Sequence, residues 1–266
     1  MTISDAFTDL TADGEELENL LATLPDQAWD TPTPAEGWTV AHQIAHLAAT
    51  FKLAGLAAAD AERFEALKSR LSPDFQTNVD LAMAPYLALT PAALLARFHE
   101  ERVAADKALA AVPEGQPVPW LVRPLPATVL AAAGMMELFG HGQDVYDGLG
   151  VQRQYTDRVG HVAFFGTRTW DFGYQARGLA TPDVAFRFVL TAPSGREWVF
   201  GPADAEQTIS GPAVDFCLLV TRRRHSDDLQ LTAVGKEAAE WLTVAQAYRG
   251  PAGPGRRPGQ FAAAAA

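Results

Sequence analysis

Cysteine is nearly absent from this 266-residue chain. With Cys217 alone there is no internal disulfide, and its place in the apolar run Val214–Val220 reads as a buried, inert thiol. A catalytic thiol would need a paired His, and none lies close in the sequence. Basic charge is also short: 21 Lys and Arg against 32 Asp and Glu give a formal net charge of −11. That balance argues against nonspecific nucleic-acid binding and against an anionic membrane surface, and no basic stripe with interleaved aromatics is present. No run of 18 apolar residues suggests a membrane span. The opening MTISDAFTDL lacks a charged segment followed by an apolar one, so no signal peptide is expected and the cytoplasm is the default location.

What the chain does have is a helical rhythm in its first part. Leu10, Leu17, Leu20, Leu21 and Leu24 recur at near-helical spacing, predicting a helix over Ile3–Leu24 that Gly14 weakens. A Pro-rich loop over 25–34 follows, stiffened by Trp29, Pro32 and Pro34. The second predicted helix begins at Thr39 as N-cap, carries Val40, Ile44, Leu47, Phe51 and Leu56, and continues towards Leu67 with a break at Gly55. Ser72–Pro85 reads as irregular. The third helix runs over Thr90–Ala111, with Thr90 as N-cap and Pro91 at the first helical position. Five prolines make 113–126 a loop, whose Trp120, Val122 and Arg123 could line a pocket mouth. The fourth helix is Ala127–Asp147. Four long helices predict a bundle over 1–150, and bundle cores are where facing helices build metal sites.

After Gly150 the texture changes. A helix over Asp157–Gly173 precedes a hairpin signal, with Val184–Leu190 alternating, PSG turning and Glu197–Phe200 returning. Gln207–Ser210 suggests a further short strand, and Gly211–Arg222 and Lys236–Tyr248 look helical. The fold class is therefore α+β: a four-helix bundle over 1–150, a small α+β domain over 151–250, and a low-complexity tail over 251–266 expected to be disordered.

Chemistry concentrates on the fourth helix. Glu137 and His141 are four apart, so they share one face of an otherwise apolar helix. A carboxylate and an imidazole so placed make half of a metal site, although Glu-x3-His alone is common on helices. A third donor should come from a facing helix, where His42 and His46 are the candidates. His46, embedded in IAHLA, reads first as a satisfied core histidine, until the other donors are counted.

At this point the chain becomes similar to known proteins. WDTPTPAEGWTVAHQIAHLA resembles the first signature of the DinB-like superfamily and its mycothiol-dependent maleylpyruvate isomerase branch, and Glu137, His141 and Asp144 resemble the second. The resemblance implies a divalent metal held by His46, Glu137 and His141, with zinc (Zn2+) expected from the His2Glu set and nickel (Ni2+) or iron (Fe2+) also accommodated. It places Asp144 near the site, either orienting His141 or lying exposed at the helix end. His42 stands where relatives carry an acidic residue, and could be a fourth ligand, a general base or a polar neighbour. The second domain resembles the module that follows the bundle in these enzymes, whose Thr-Gly-Arg motif falls on Thr221, Arg222 and Arg223. In the family that Arg holds an anionic substrate or thiol cofactor, which suits a guanidinium, whereas an Arg at a helix C-terminus is also favoured by the dipole alone.

The resemblance thus implies a mononuclear metal-dependent enzyme acting on a small anionic or carbonyl-bearing metabolite, as a mycothiol-dependent isomerase or transferase. Seventeen Arg against four Lys, as GC-rich codons give, fit an actinobacterial source. The alternatives are a thiol-independent Lewis-acid lyase or cyclase of specialised metabolism with His42 as base, and a non-catalytic metal- or ligand-binding protein. Neither nucleic acid nor membrane is an expected partner, and the sequence leaves the oligomeric state open.

Overall fold

The computed structural model describes residues 5–261. The described residues divide into two compact units, 5–153 and 154–261.

The first unit is built on four long helices: α1 (Ala6–Leu21), α2 (Val40–Ala59), α5 (Pro91–Ala110) and α6 (Ala127–Leu149), with the shorter α3 (Ala61–Lys68) and α4 (Phe75–Leu87) between α2 and α5. A two-residue ladder, β1 (Pro117–Val118) with β2 (Leu125–Pro126), leads into α6. Leu10, Leu17 and Leu21 of α1, Ile44, Leu47 and Phe51 of α2, Leu94 and Phe98 of α5, and Leu138 and Val145 of α6 are all buried in the core of this unit. Side chains cap the helices as their residue types require: Asp5 accepts from the backbone N–H of Thr8, and Thr90 from that of Ala93 with Pro91 behind it.

Three local expectations are corrected. The helix expected to begin at Ile3 is described from Ala6, and Ile3 itself lies outside the described residues. Residues 75–87 form a helix despite Pro85, because Asp74 caps its start and Met83 and Tyr86 anchor it. The break in the long second helix comes at Asp60, whose side chain caps α3, and Gly55 lies inside α2. A Cβ on Gly55 would sit 3.2 Å from the Ala105 Cα, so this glycine lets α2 and α5 approach backbone to backbone. Gly14 has a similar reason. A Cβ there would lie 2.2 Å from Cδ of Arg102, which is buried between α1 and α5 and bonded to Glu18 and Asp106.

The second unit has α7 (Val159–Arg168), α8 (Phe172–Gln175), α9 (Ala213–Val220) and α10 (Lys236–Val244) with a four-stranded sheet. The strands β3 (Phe186–Thr191), β4 (Glu197–Phe200), β5 (Gln207–Pro212) and β6 (Thr232–Val234) lie in the order β4-β3-β5-β6, with β3 and β5 parallel. The hairpin of β3 and β4 is antiparallel, as the alternating sequence predicts. Phe188, Phe216 and Trp241 form its aromatic core, and Cys217 is fully buried. Together these give the expected α+β fold. Of the tail over 251–266, residues 262–266 lie outside the described residues. The part before them has no helix or strand, but Gly259 donates its N–H to Asp228.

Candidate metal centre

His46 on α2 and Glu137 and His141 on α6 converge, as the sequence anticipates for facing helices. Their donor atoms all lie within 4.8 Å of one another. Glu137 Oε2 stands 3.5 Å from Nε2 of His46 and 3.3 Å from Nε2 of His141. Zinc bound to nitrogen and oxygen at about 2.0–2.1 Å in a tetrahedron separates its ligand atoms by roughly 3.3 Å. Two edges of the triangle therefore already have the length a metal would impose, and the three residues fit one. The side chains of His46, Glu137 and His141 keep 19, 23 and 16% of their surface accessible, so an ion can reach them. Burial pushes the Glu137 carboxyl up, but the two imidazoles facing it outweigh that and hold it well below the ordinary carboxylate range.

Trp38 is the wall of this cluster. Its ring stacks on that of His141 with centroids 5.8 Å apart, and lies 5.5 Å from His46 and 6.3 Å from His42. His42 stays one turn from the triad and is not among its donors. Its Nδ1 is taken by the Thr39 backbone N–H at 3.3 Å and lies 2.9 Å from the Thr39 hydroxyl, completing a capping box in which His42 fills the place usual for Glu or Gln. Trp38 and His42 also line a cavity of about 380 Å³, bounded opposite by Asp80, Met83 and Leu87 of α4, with Glu36 at the loop.

Two site features escape sequence reasoning. Gln43, fully buried, brings Oε1 to 2.6 Å from Nδ1 of His141. As a polar residue on the inner face of α2 it carries a signal, but one that names no partner until the helices are packed. The wall of α4 is lost with the helix that Pro85 hides. Asp144 is buried, 1% exposed, one turn beyond His141, so its exposed helix-end alternative does not hold. Trp120 stacks on Phe64 rather than on this cavity.

Arg223 belongs to the second unit. There α9 ends in a paired turn: Arg222 donates its N–H to Leu219 and Arg223 to Leu218, each at 2.8 Å, with Arg222 at φ 59. The left-handed position explains why a glycine suits the middle of the Thr-Gly-Arg motif, and shows Arg222 keeping its conformation without being one. The Arg223 side chain is half-buried and donates to the Thr221 carbonyl.

Residues 10–146, more than half of the chain, match the mycothiol maleylpyruvate isomerase N-terminal domain family. The chain belongs to that family. Two uncharacterized proteins from two strains of Mycobacterium tuberculosis are each 42% identical to it over 248 residues, spanning 93% of this chain and 96% of theirs. The crystal structures of the mycothiol-dependent maleylpyruvate isomerase, and of a histidine-to-alanine mutant of it, share the fold. Each superposes with a TM-score of 0.58 at 19% identity, over 87% of this chain and 93% of that one. The two stretches that carry the resemblance, residues 29–48 and 137–144, lie within the matched residues, and each supplies part of the His46, Glu137 and His141 cluster. No single helix among the described residues is long and apolar enough to cross a membrane.

Proposed function

We propose that the protein is a divalent-metal-dependent enzyme of the isomerase or transferase type, using a low-molecular-weight thiol such as mycothiol on a small carbonyl-bearing substrate. The observation that carries this is the triangle of His46, Glu137 and His141, spaced for one metal and still accessible. A bound divalent ion, zinc first for this donor set with nickel or iron also suited, would hold a thiol as thiolate near neutral pH and polarise a carbonyl. The residues of the chain then have separate tasks. Three protein ligands leave open the positions a catalytic site needs. Trp38 offers an aromatic wall to the cavity that it shares with His42, and Met83 and Leu87 make the opposite side apolar. With Nδ1 of His42 engaged by Thr39, the nitrogen left for a substrate is Nε2, which in the neutral ring carries the proton. His42 therefore acts as a hydrogen-bond donor rather than a base, which weighs against the thiol-independent lyase or cyclase. The ionisable lining of the cavity is Glu36, Asp80 and His42, with no Lys or Arg among the lining residues. Arg223 of the second unit is proposed to hold an anionic group.

The test is metal analysis of the purified protein beside Glu137→Ala, followed by calorimetry of the wild type with mycothiol. About one metal per chain, lost in the variant, together with thiol binding, is the expected result. Metal without thiol binding overturns the thiol-dependent part, and no metal even after reloading overturns the whole.

A further inference from the structure

The bond from Gln43 to His141 is one link of a relay whose directions can be worked out. The Thr33 hydroxyl donates to the Trp38 carbonyl at 2.9 Å, beside the Thr33 backbone N–H, which donates to the same oxygen at 2.8 Å. With its only proton spent, the Thr33 oxygen can only accept, and it accepts from Nε2 of Gln43 at 2.8 Å. That fixes which end of the amide is which. Turning it over would set Oε1 against an oxygen with no proton to give. Oε1 must therefore face His141, so in the neutral ring Nδ1 carries the proton and Nε2 is the nitrogen left to give its lone pair to a metal. Gln43 is fully buried, and leaving either end unpaired would cost the desolvation of a polar group. In this arrangement both ends of the amide are paired.

The relay begins in the Pro-rich loop before α2, and α6 is shaped to receive that loop. A Cβ on Gly148 would stand 3.0 Å from the Pro32 carbonyl oxygen and 3.3 Å from Cα of Thr33. The glycine lets the loop backbone lie directly on the helix that bears Glu137 and His141. Loop, α2 and α6 are thus tied through one chain of bonds that ends on the ring of a candidate ligand.

We infer that Gln43, held by Thr33, is a positioning residue for the metal centre: it locks the His141 tautomer and ring angle, and so sets the affinity for a divalent ion. The inference rests on the metal reading above. It explains why the Trp- and Pro-rich loop and the metal-bearing helices occur together: the loop orients a ligand as well as walling the cavity.

Zinc affinity of the full chain, measured by competition with a chromophoric chelator, tests this, with far-UV circular dichroism and a thermal melt for each variant. Gln43→Leu removes the acceptor and should weaken zinc binding by about 10–100-fold while the protein stays helical, the usual size of an outer-partner effect. Gln43→Glu keeps an acceptor for Nδ1–H, with the Thr33 proton turning to the second carboxylate oxygen while the Thr33 N–H still serves the Trp38 carbonyl, and should bind within a few-fold of the wild type or more tightly. A packing role alone predicts that Glu, buried in the same place, is no better than Leu. Thr33→Val frees the amide to turn and should weaken zinc binding with Gln43 still present. Unchanged affinity in a folded Gln43→Leu protein, or no rescue by Gln43→Glu, overturns the inference while leaving the metal site standing. If the wild type itself binds no zinc, the metal reading fails, and the inference with it.

Discussion

Replacing Gly14 by alanine sets two effects of opposite sign against each other. Gly14 lies within α1, where alanine should stabilise a helix by about 1 kcal/mol over glycine. The structure says otherwise. The new Cβ would stand 2.2 Å from Cδ and 2.6 Å from Nε of Arg102. That side chain cannot swing aside: it is 1% exposed, donates to Glu18 at 2.7 and 3.1 Å, and donates to Asp106 at 2.8 Å. Displacing it uncouples charges that burial has removed from water, and breaking a buried pair costs about 3–5 kcal/mol. Even at the low end the helix gain is outweighed, leaving a net loss of about 2 kcal/mol. Urea unfolding followed by far-UV circular dichroism should show the midpoint for the bundle lowered by about 1 M, taking a slope of about 2 kcal/mol per M. The decisive comparison is a double-mutant cycle. In an Arg102→Ala background, itself much less stable, the clash is gone and Gly14→Ala should become neutral or stabilising. A raised midpoint for the single variant, or the same loss in both backgrounds, would refute the reasoning.

The remaining predictions concern the second unit. Arg222→Gly should stabilise it by about 0.5–1 kcal/mol, since relief of a left-handed side-chain residue exceeds the added freedom of glycine in the unfolded chain. The bond from Arg222 to the Gly253 carbonyl, 3.3 Å long, is a small loss, and a lowered melting temperature would show the reasoning wrong. Asp157, just before α7, accepts from Ser194 and Arg196 of the hairpin turn; burial raises its pKa, but these bonds together outweigh that and hold it below the ordinary value. A depressed carboxyl stabilises above its unfolded pKa and loses that contribution as pH falls through the folded value. Asp157→Asn should therefore flatten the fall in stability below about pH 4, whereas acid curves of equal slope for variant and wild type would exclude this role.

Much of the fold was legible because its helices announce themselves. Thr90 before Pro91, and leucines at helical spacing, are local signals that tertiary packing did not override. The failures were also local signals, overridden from a distance. Gly55 reads as a break until Ala105 of α5 is set against it, and Pro85 reads as irregular chain until α4 is seen to tolerate it near its end. At the site, Glu137 and His141 could be paired by their spacing, and His46 could be named as a facing donor. Gln43 could not, because nothing within its own helix distinguishes an orienting amide from any other buried polar group. What tells them apart is the Thr33 hydroxyl and the His141 ring, brought together only by the fold.

The separation of the donors along the chain has a consequence for how the protein forms. Glu137 and His141 can meet within one turn of a nascent α6, but His46 lies on α2, with α3, α4 and α5 intervening. An unfolded chain therefore presents a metal with two donors at most from this set, and the long loop to the third must be closed by helix packing first. Metal capture would come late in folding. An ion added during refolding would not guide the chain to its structure; the moment of its uptake would mark the bundle's completion.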